Sequence, residues 1–131
     1  MKIKSIFVLG STSLIAKELC LALAKEGCRK FHLIAKDSKK NNFLMTQLRC
    51  EFKAIVTEEI INFADESLSF EKPPVIEDYD LYLVTIGTLG NNEKAFKTLV
   101  NSCVKYSGNS NSFFIIKSVF MSNNIKYQIL L

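Results

Sequence analysis

The sequence lacks the long apolar run and the cysteine pattern that would indicate a membrane protein or a metal protein. No stretch approaches the roughly 18 apolar residues that cross a bilayer. The apolar run near the N-terminus is too short for a secretion signal, because Gly10 and the polar residues after it interrupt it. The four cysteines form no C-x-x-C pair, and His32 is the only histidine. These absences predict a cytoplasmic protein with no membrane segment and no metal centre, in which Cys20 and Cys103 are small buried hydrophobic residues.

The sequence also lacks a segment in which basic residues are concentrated. Its net charge is +4, and only Lys36, Lys39 and Lys40 form a short local cluster. Proteins that bind nucleic acids usually gather their basic residues on one face, so we expect no nucleic-acid partner. The 131 residues, 48% of them hydrophobic, are enough for one folded domain with a core.

The N-terminal part of the chain has the pattern of a strand, a glycine turn, a helix and a second strand. The apolar run at residues 6–9 is typical of a parallel strand buried on both faces, and Gly10 ends it. Small polar residues at 11–13 follow where a helix must begin, and Gly27 stands where a left-handed cap ends it. The second strand is expected at residues 31–35. Such a turn leaves backbone N–H groups free at a helix N-terminus, which favours phosphate binding.

The rest of the chain continues the alternation of helix and strand. We expect a second helix over residues 38–50, capped by Asp37 or Ser38. The other expected elements are strands at 52–56, 81–86 and 113–116 and a helix that starts at Glu93. This alternation predicts an α/β fold with a doubly wound parallel sheet in the strand order 3-2-1-4-5.

The expected strand order places a ligand crevice between two glycine turns. The first and fourth strands are then neighbours at the switch point, so the turns at Gly10 and Gly87 flank the crevice. The competing order, 2-1-3-4-5, belongs to flavodoxin-like and receiver domains. A receiver domain needs acidic residues after its first strand and an aspartate after its third, where this chain has Ser11 and Thr57.

Three titratable residues are expected to lie away from the crevice. His32 falls within the second strand with no nucleophile or acidic partner in register, so we interpret it as structural or exposed. Asp78 and Asp80 precede the fourth strand, at the end opposite the crevice, and we expect them to be solvated.

Four segments in register resemble the short-chain dehydrogenase/reductase family. Residues 10–16, GSTSLIA, resemble its cofactor turn, and residues 87–90, GTLG, resemble its fourth-strand turn. Residues 62–65, NFAD, resemble the segment after the third strand, and residues 114–118 resemble the fifth strand, which carries the catalytic serine. Order and spacing agree from residue 3 to about 119. The resemblance implies a Rossmann-like NAD(P)-binding domain over residues 1–119, with the tail 120–131 unassigned.

The resemblance also implies which residues contact the cofactor. Leu14 stands where the family most often has a second glycine, and a leucine side chain that faces the crevice would displace the dinucleotide. Lys36 matches the arginine of NADP-preferring members, which favours NADP over NAD. Asn62 takes the place of the aspartate that touches the adenine. The full set of expected cofactor-binding residues is Gly10, Ser11, Thr12, Ser13, Leu14, Ile15, Lys36, Asp37, Asn62 and Gly87.

The catalytic part of the family's pattern is missing. Ser118 matches the catalytic serine, but Leu131 stands thirteen residues later, where the tyrosine is usual, and the chain has no Tyr-x-x-x-Lys. That lysine lowers the pKa of the tyrosine, which must exchange a proton near neutral pH. The interval from Gly90 to Ser118 is also about ten to fifteen residues shorter than the family's. The resemblance therefore implies a truncated oxidoreductase domain that is not active alone.

Two other hypotheses stay open. In the first, the chain is a non-enzymatic nucleotide-binding or assembly module completed by a partner chain. In the second, it is a minimal reductase that uses Ser118 and Tyr127. Because the tail 120–131 shows no family pattern, we expect the fifth strand to be an unprotected edge of the sheet, which favours homo-oligomers.

Overall fold

In the computed structural model, residues 3–62, 79–85, Thr98 and 113–116 are described. They form one sheet with two helices beside it. The elements are β1 (Ser5–Leu9), α1 (Leu14–Lys25), β2 (Lys30–Ala35), α2 (Ser38–Phe52), β3 (Ile55–Ile60), β4 (Leu81–Val84) and β5 (Phe113–Ile116). Within this described part, no helix is long and apolar enough to cross a membrane.

The five strands form an all-parallel sheet in the order β3-β2-β1-β4-β5. This confirms the predicted α/β class and strand order. The order reverses at β1, whose neighbours are β2 on one side and β4 on the other. The carboxyl end of β1 is therefore the switch point of a Rossmann-like sheet.

Local sequence signals explain both ends of α1. Ser13 is the N-cap, since its side chain accepts a hydrogen bond from the backbone N–H of Ala16. At the other end Gly27 has a φ of 106°, and the N–H of Cys28 donates to the carbonyl of Leu23 at 2.9 Å. These are the marks of a Schellman motif, as the position of Gly27 predicts.

The third strand is displaced from the prediction of residues 52–56. Phe52 instead closes α2, where the Arg29 guanidinium lies 5.8 Å from the centre of its ring. Lys53 follows with a left-handed φ of 56° and caps the helix without a glycine to signal it. The strand then runs Ile55–Ile60. It lies at one edge of the sheet, which explains why it is more polar than a strand buried on both faces.

The helices pack on one face of the sheet. That face and the inner sides of α1 and α2 form a single hydrophobic core, to which Ile6, Leu33, Cys20 and Leu48 belong, all fully buried. The burial of Cys20 confirms its predicted role. The opposite side chains of the central strands are buried too, which is why these strands read as unbroken apolar runs.

Other sequence predictions have mixed outcomes. The first, second and fifth strands lie where they were expected to within one residue, and α2 runs two residues beyond its expected end. The fourth strand ends at Val84 rather than at Ile86. The helix expected from Glu93 lies outside the described residues except at Thr98, which is helical. Cys103, Asp78 and the tail 120–131 also lie outside them.

Asp80 is not the solvated residue that the sequence predicts. Its carboxylate accepts hydrogen bonds from the backbone N–H groups of Lys4, at 2.8 Å, and Ser5, at 3.2 Å. The Ser5 hydroxyl in turn accepts from the backbone N–H of Asp80 at 3.0 Å. Asp80 therefore ties the start of β4 to the start of β1.

Candidate functional site

The candidate site is the turn that follows β1 at the switch point. Gly10 has a φ of 94°, a conformation that glycine adopts without steric cost. The backbone N–H groups of Gly10 and Ser11 both donate to the carbonyl of Ile34, at 2.9 and 3.1 Å. On the other side, the N–H of Thr85 donates to the carbonyl of Leu9 at 2.8 Å. The turn is thus bound to the strands on both sides.

A group of polar side chains, buried at Ser11 and Asn41, holds the first half of the turn. The Ser11 hydroxyl donates to Asn41 Oδ1 at 2.6 Å and lies 3.3 Å from the carbonyl of Ile34. Asn41 Nδ2 donates to Glu58 Oε2 at 3.1 Å, and the Ser38 hydroxyl donates to Glu58 Oε1 at 2.9 Å. We call Ser11, Asn41, Glu58 and Ser38 the Asn41 network. It links the turn to α2 and to β3.

A second set of hydroxyls holds the other half of the turn. The Ser13 hydroxyl donates to Thr85 Oγ1 at 2.9 Å, and the Thr85 hydroxyl donates to the carbonyl of Gly10 at 2.7 Å. We call this pair of bonds the Thr85 bridge. It joins the start of α1 to the end of β4, so the hydroxyls of Ser11 and Ser13 are both committed inside the protein.

Three backbone N–H groups of the turn remain unpaired within the described part of the chain. They belong to Thr12, Leu14 and Ile15, and they lie where α1 begins. Thr12 is exposed, and its hydroxyl makes no hydrogen bond to the described residues. The positive end of the helix dipole adds to these donors. This arrangement suits an anionic oxygen, such as that of a phosphate.

Leu14 and Ala16, two residues of the turn that resembles the short-chain dehydrogenase cofactor turn, have different surroundings in the structure. Leu14 is 71% exposed at the first position of α1. Ala16 is fully buried in the core between helix and sheet. The small side chain at residue 16 therefore permits close helix packing, whereas the leucine at residue 14 projects into solvent beside the free N–H groups.

The end of β2 supplies charged groups at the same edge of the sheet. Asp37 is the N-cap of α2, and its Oδ1 accepts from the backbone N–H of Lys39 at 2.9 Å. This settles the predicted choice between Asp37 and Ser38. Lys36 is exposed and makes no ion pair with the described residues. Asn62, just beyond β3, is exposed as well.

The structure thus gathers eight of the expected residues, 10–15 with Lys36 and Asp37, at the carboxyl ends of β1 and β2, and Asn62 follows β3. Gly87 and the catalytic candidate Ser118 lie outside the described residues. Among the described residues, no group of three or more His, Cys, Asp or Glu side chains could hold a metal ion.

Sequence reasoning missed three residues that build this site. Asn41 is 0% exposed on an inner position of α2, Glu58 is half-buried in β3, and Thr85 is buried after β4. The sequence signal that could have identified such residues is a polar side chain at a position that the helix or strand pattern predicts to be buried. A polar side chain is rarely buried without a hydrogen-bond partner, so such positions point to a network.

No family model and no curated protein sequence matches this chain. Its fold resembles a protein from Escherichia coli CFT073 assigned to the short-chain dehydrogenases, with a TM-score of 0.66 and 14% identity over 86% of this chain and 60% of that one. It also resembles E. coli MccB, with a TM-score of 0.56 and 21% identity over 89% of this chain and 36% of that one. MccB solved with ATP gives a TM-score of 0.56 and 20% identity, over 88% and 38% of the two chains. The chain thus spans less than two thirds of each of these proteins, and the likeness shows that its fold is Rossmann-like.

Proposed function

We propose that this chain is a nucleotide-binding domain of short-chain dehydrogenase/reductase type that holds NAD(P) at the Gly10 turn. The observation that carries the proposal is the set of free N–H groups of Thr12, Leu14 and Ile15 at the switch point. A pyrophosphate placed there would accept hydrogen bonds from the start of α1. A likeness in fold to a protein assigned to the short-chain dehydrogenases supports the same ligand class.

NADP is the form of cofactor that the end of β2 favours. A cation at this position accommodates a 2′-phosphate, whereas a carboxylate prefers the free ribose hydroxyl. Lys36 is exposed, while one carboxylate oxygen of Asp37 is engaged in capping α2. The lysine is a point charge without the fork of an arginine, so we expect a moderate preference.

The domain binds its cofactor without reducing a carbonyl compound by itself. These 131 residues contain Ser118 but no Tyr-x-x-x-Lys, so no group in that pattern can exchange the proton. A partner chain that supplies the pair would turn the domain into an assembly module. Self-association through the edge of β5 and a cytoplasmic location stay predictions.

Fluorescence titration of the purified chain with NADPH and with NADH tests the proposal. We expect saturable binding below millimolar concentrations, tighter for NADPH. Lys36→Ala should weaken NADPH binding roughly tenfold, the effect of losing one ion pair of about 1.4 kcal/mol, and leave NADH unchanged. Lys25→Ala, which removes an exposed lysine at the far end of α1, is the matched control. The absence of saturable binding to either cofactor would overturn the proposal.

ATP is the second candidate ligand, because a structure of similar fold was solved with it. The free N–H groups suit a triphosphate as well as a pyrophosphate. Competition separates the two: if ATP binds directly and displaces NADPH at concentrations below those at which NADPH itself binds, the site is a mononucleotide site.

A further inference from the structure

The Asn41 network contains a side chain that the core does not require. Asn41 is 0% exposed on α2, and its buried neighbours on that helix are Leu44, Met45 and Leu48. Burying an amide costs free energy unless hydrogen bonds replace those to water. An apolar side chain would fill this place without that cost, so core packing alone does not account for the asparagine.

The amide makes one contact that an apolar side chain could not make. Its Oδ1 accepts from the Ser11 hydroxyl at 2.6 Å, and Ser11 is itself only 2% exposed. The backbone N–H of Ser11 donates to the carbonyl of Ile34. With side chain and main chain both bound, Ser11 has little freedom to rotate. The peptide N–H that follows it, that of Thr12, therefore has a fixed direction.

The other end of the network fixes Asn41. Glu58 accepts from Asn41 Nδ2 at 3.1 Å with one oxygen and from the Ser38 hydroxyl at 2.9 Å with the other. Bonds to an ionised carboxylate are stronger than neutral ones. Because Asn41 must donate to this carboxylate through its NH₂ group, its carbonyl oxygen is the atom that faces Ser11.

We propose that Asn41 is a positioning residue for the phosphate-binding turn, held by Glu58 and acting through Ser11. It fixes the turn so that the N–H groups of Thr12 and of the start of α1 point at one anion. This inference rests on the proposed function, since it names the device that orients the same site. Asn41 itself touches no ligand.

The test is a titration with inorganic pyrophosphate, followed by NMR at the backbone amides of Thr12, Leu14 and Ile15. NADPH binding is measured in parallel by fluorescence. The variants are Ser11→Ala, Asn41→Leu and the double variant, with Asn41→Asp as a fourth. Asn42→Leu is the matched control, because Asn42 is the neighbouring asparagine on α2 and is exposed.

We expect Ser11→Ala and Asn41→Leu each to weaken pyrophosphate and NADPH binding by roughly five- to thirtyfold. The double variant should lose no more affinity than either single variant. Residues that act as one unit show such non-additive effects. Asn41→Asp keeps the acceptor for Ser11 but opposes the carboxylate of Glu58, so it should also weaken binding. Asn42→Leu should bind as the parent does.

The outcomes separate this inference from the function on which it rests. If the parent chain binds neither pyrophosphate nor NADPH, the proposed function fails. If the parent binds and Ser11→Ala binds equally well, the positioning role is overturned while the function stands. Ser11→Ala keeps the test decisive if Asn41→Leu does not fold, because it removes a single oxygen atom. A loss of thermal stability in Asn41→Leu with unchanged pyrophosphate binding would also overturn the inference.

Discussion

Two adjacent rows of side chains cross the sheet on opposite faces, and they are built from different residues. The register aligns Thr57, His32, Phe7 and Tyr82 in one row, which we call the aromatic row. It aligns Glu58, Leu33, Val8 and Leu83 in the next, which we call the aliphatic row. Both rows are buried at β1 and β4, and at β3 they reach the exposed Thr57 and the half-buried Glu58.

The polar residues of the two rows have hydrogen-bond partners in different parts of the fold. In the aromatic row, Thr57 Oγ1 lies 2.6 Å from Nδ1 of its row neighbour His32, whose Nε2 is 3.5 Å from Glu59 Oε1. The acidic partner that sequence reasoning did not find for His32 is therefore Glu59, on the next strand. In the aliphatic row, Glu58 is bound from outside the sheet, by Asn41 and Ser38 of α2. Through Asn41, Glu58 of the aliphatic row is connected by hydrogen bonds to Ser11 in the candidate site.

The packing of the rows differs as well. Phe7 has its ring centre 5.5 Å from that of His32 and 5.7 Å from that of Tyr82, and Tyr79 lies 5.8 Å away. Leu33 has no such directed contacts and belongs to the core beneath α1 and α2. The comparison indicates that one face is stabilised by close aliphatic packing of helices and the other by a cluster of rings.

The largest expected effect is at the centre of the aliphatic row. Leu33→Ala should lower the free energy of unfolding by about 2–5 kcal/mol, because it leaves a cavity under the helices. Urea denaturation measures the change. Leu14→Ala, at an exposed leucine, is the control and should change stability by less than about 0.5 kcal/mol. Equal effects of the two substitutions would contradict the assignment of the core.

A smaller effect is expected in the aromatic row. Phe7→Leu keeps most of the buried apolar volume but removes three ring contacts, so we expect a loss of about 1–3 kcal/mol in the free energy of unfolding. The near-ultraviolet circular dichroism of the tyrosines should weaken with it. Phe43→Leu, at an exposed phenylalanine, provides the comparison. If Phe7→Leu lowered the free energy of unfolding as much as Leu33→Ala does, the two faces of the sheet would not differ in how they are stabilised.

The smallest expected effect concerns the buried thiols of Cys20 and Cys28, which belong to the same hydrophobic core as Leu33. Burial raises the pKa of Cys20 from 9.0 to about 12, and it also raises the pKa of Cys28. Above pH 9 the unfolded chain loses thiol protons that the folded chain retains, so stability is full below that pH and falls as the pH rises toward 12. The expected slope is at most about 1.4 kcal/mol per pH unit for each thiol.

Urea denaturation at about pH 8 and about pH 10 measures this loss. Other groups titrate in the same range, so Cys20→Ala is compared with the parent chain. The variant should lose less stability between the two pH values. If parent and variant lose the same amount, Cys20 ionises in the folded protein and is not shielded as its burial indicates.

The sequence predicted the centre of the fold well because its signals there are local. Strands buried on both faces appear as unbroken apolar runs, and Gly10 and Gly27 stand at two of the three described positions with positive φ. The prediction was wrong at β3, where the strand is polar because it lies at the edge and where Lys53 ends the helix without a glycine. Edge position is a property of the whole sheet, so a local pattern does not carry it.

In the candidate site, too, the local features follow from the sequence and the long-range contacts follow from the tertiary structure. The sequence by itself determined the turn at Gly10, the start of a helix at the small polar residues 11–13 and the charged end of β2, since each depends on residues within one turn or one strand end. Only the tertiary structure decided which hydroxyls are committed inside the protein. The Ser11–Asn41 bond spans 30 residues and the Ser13–Thr85 bond spans 72. Such contacts exist only after the strands have taken their order in the sheet, because the sheet brings these distant residues together.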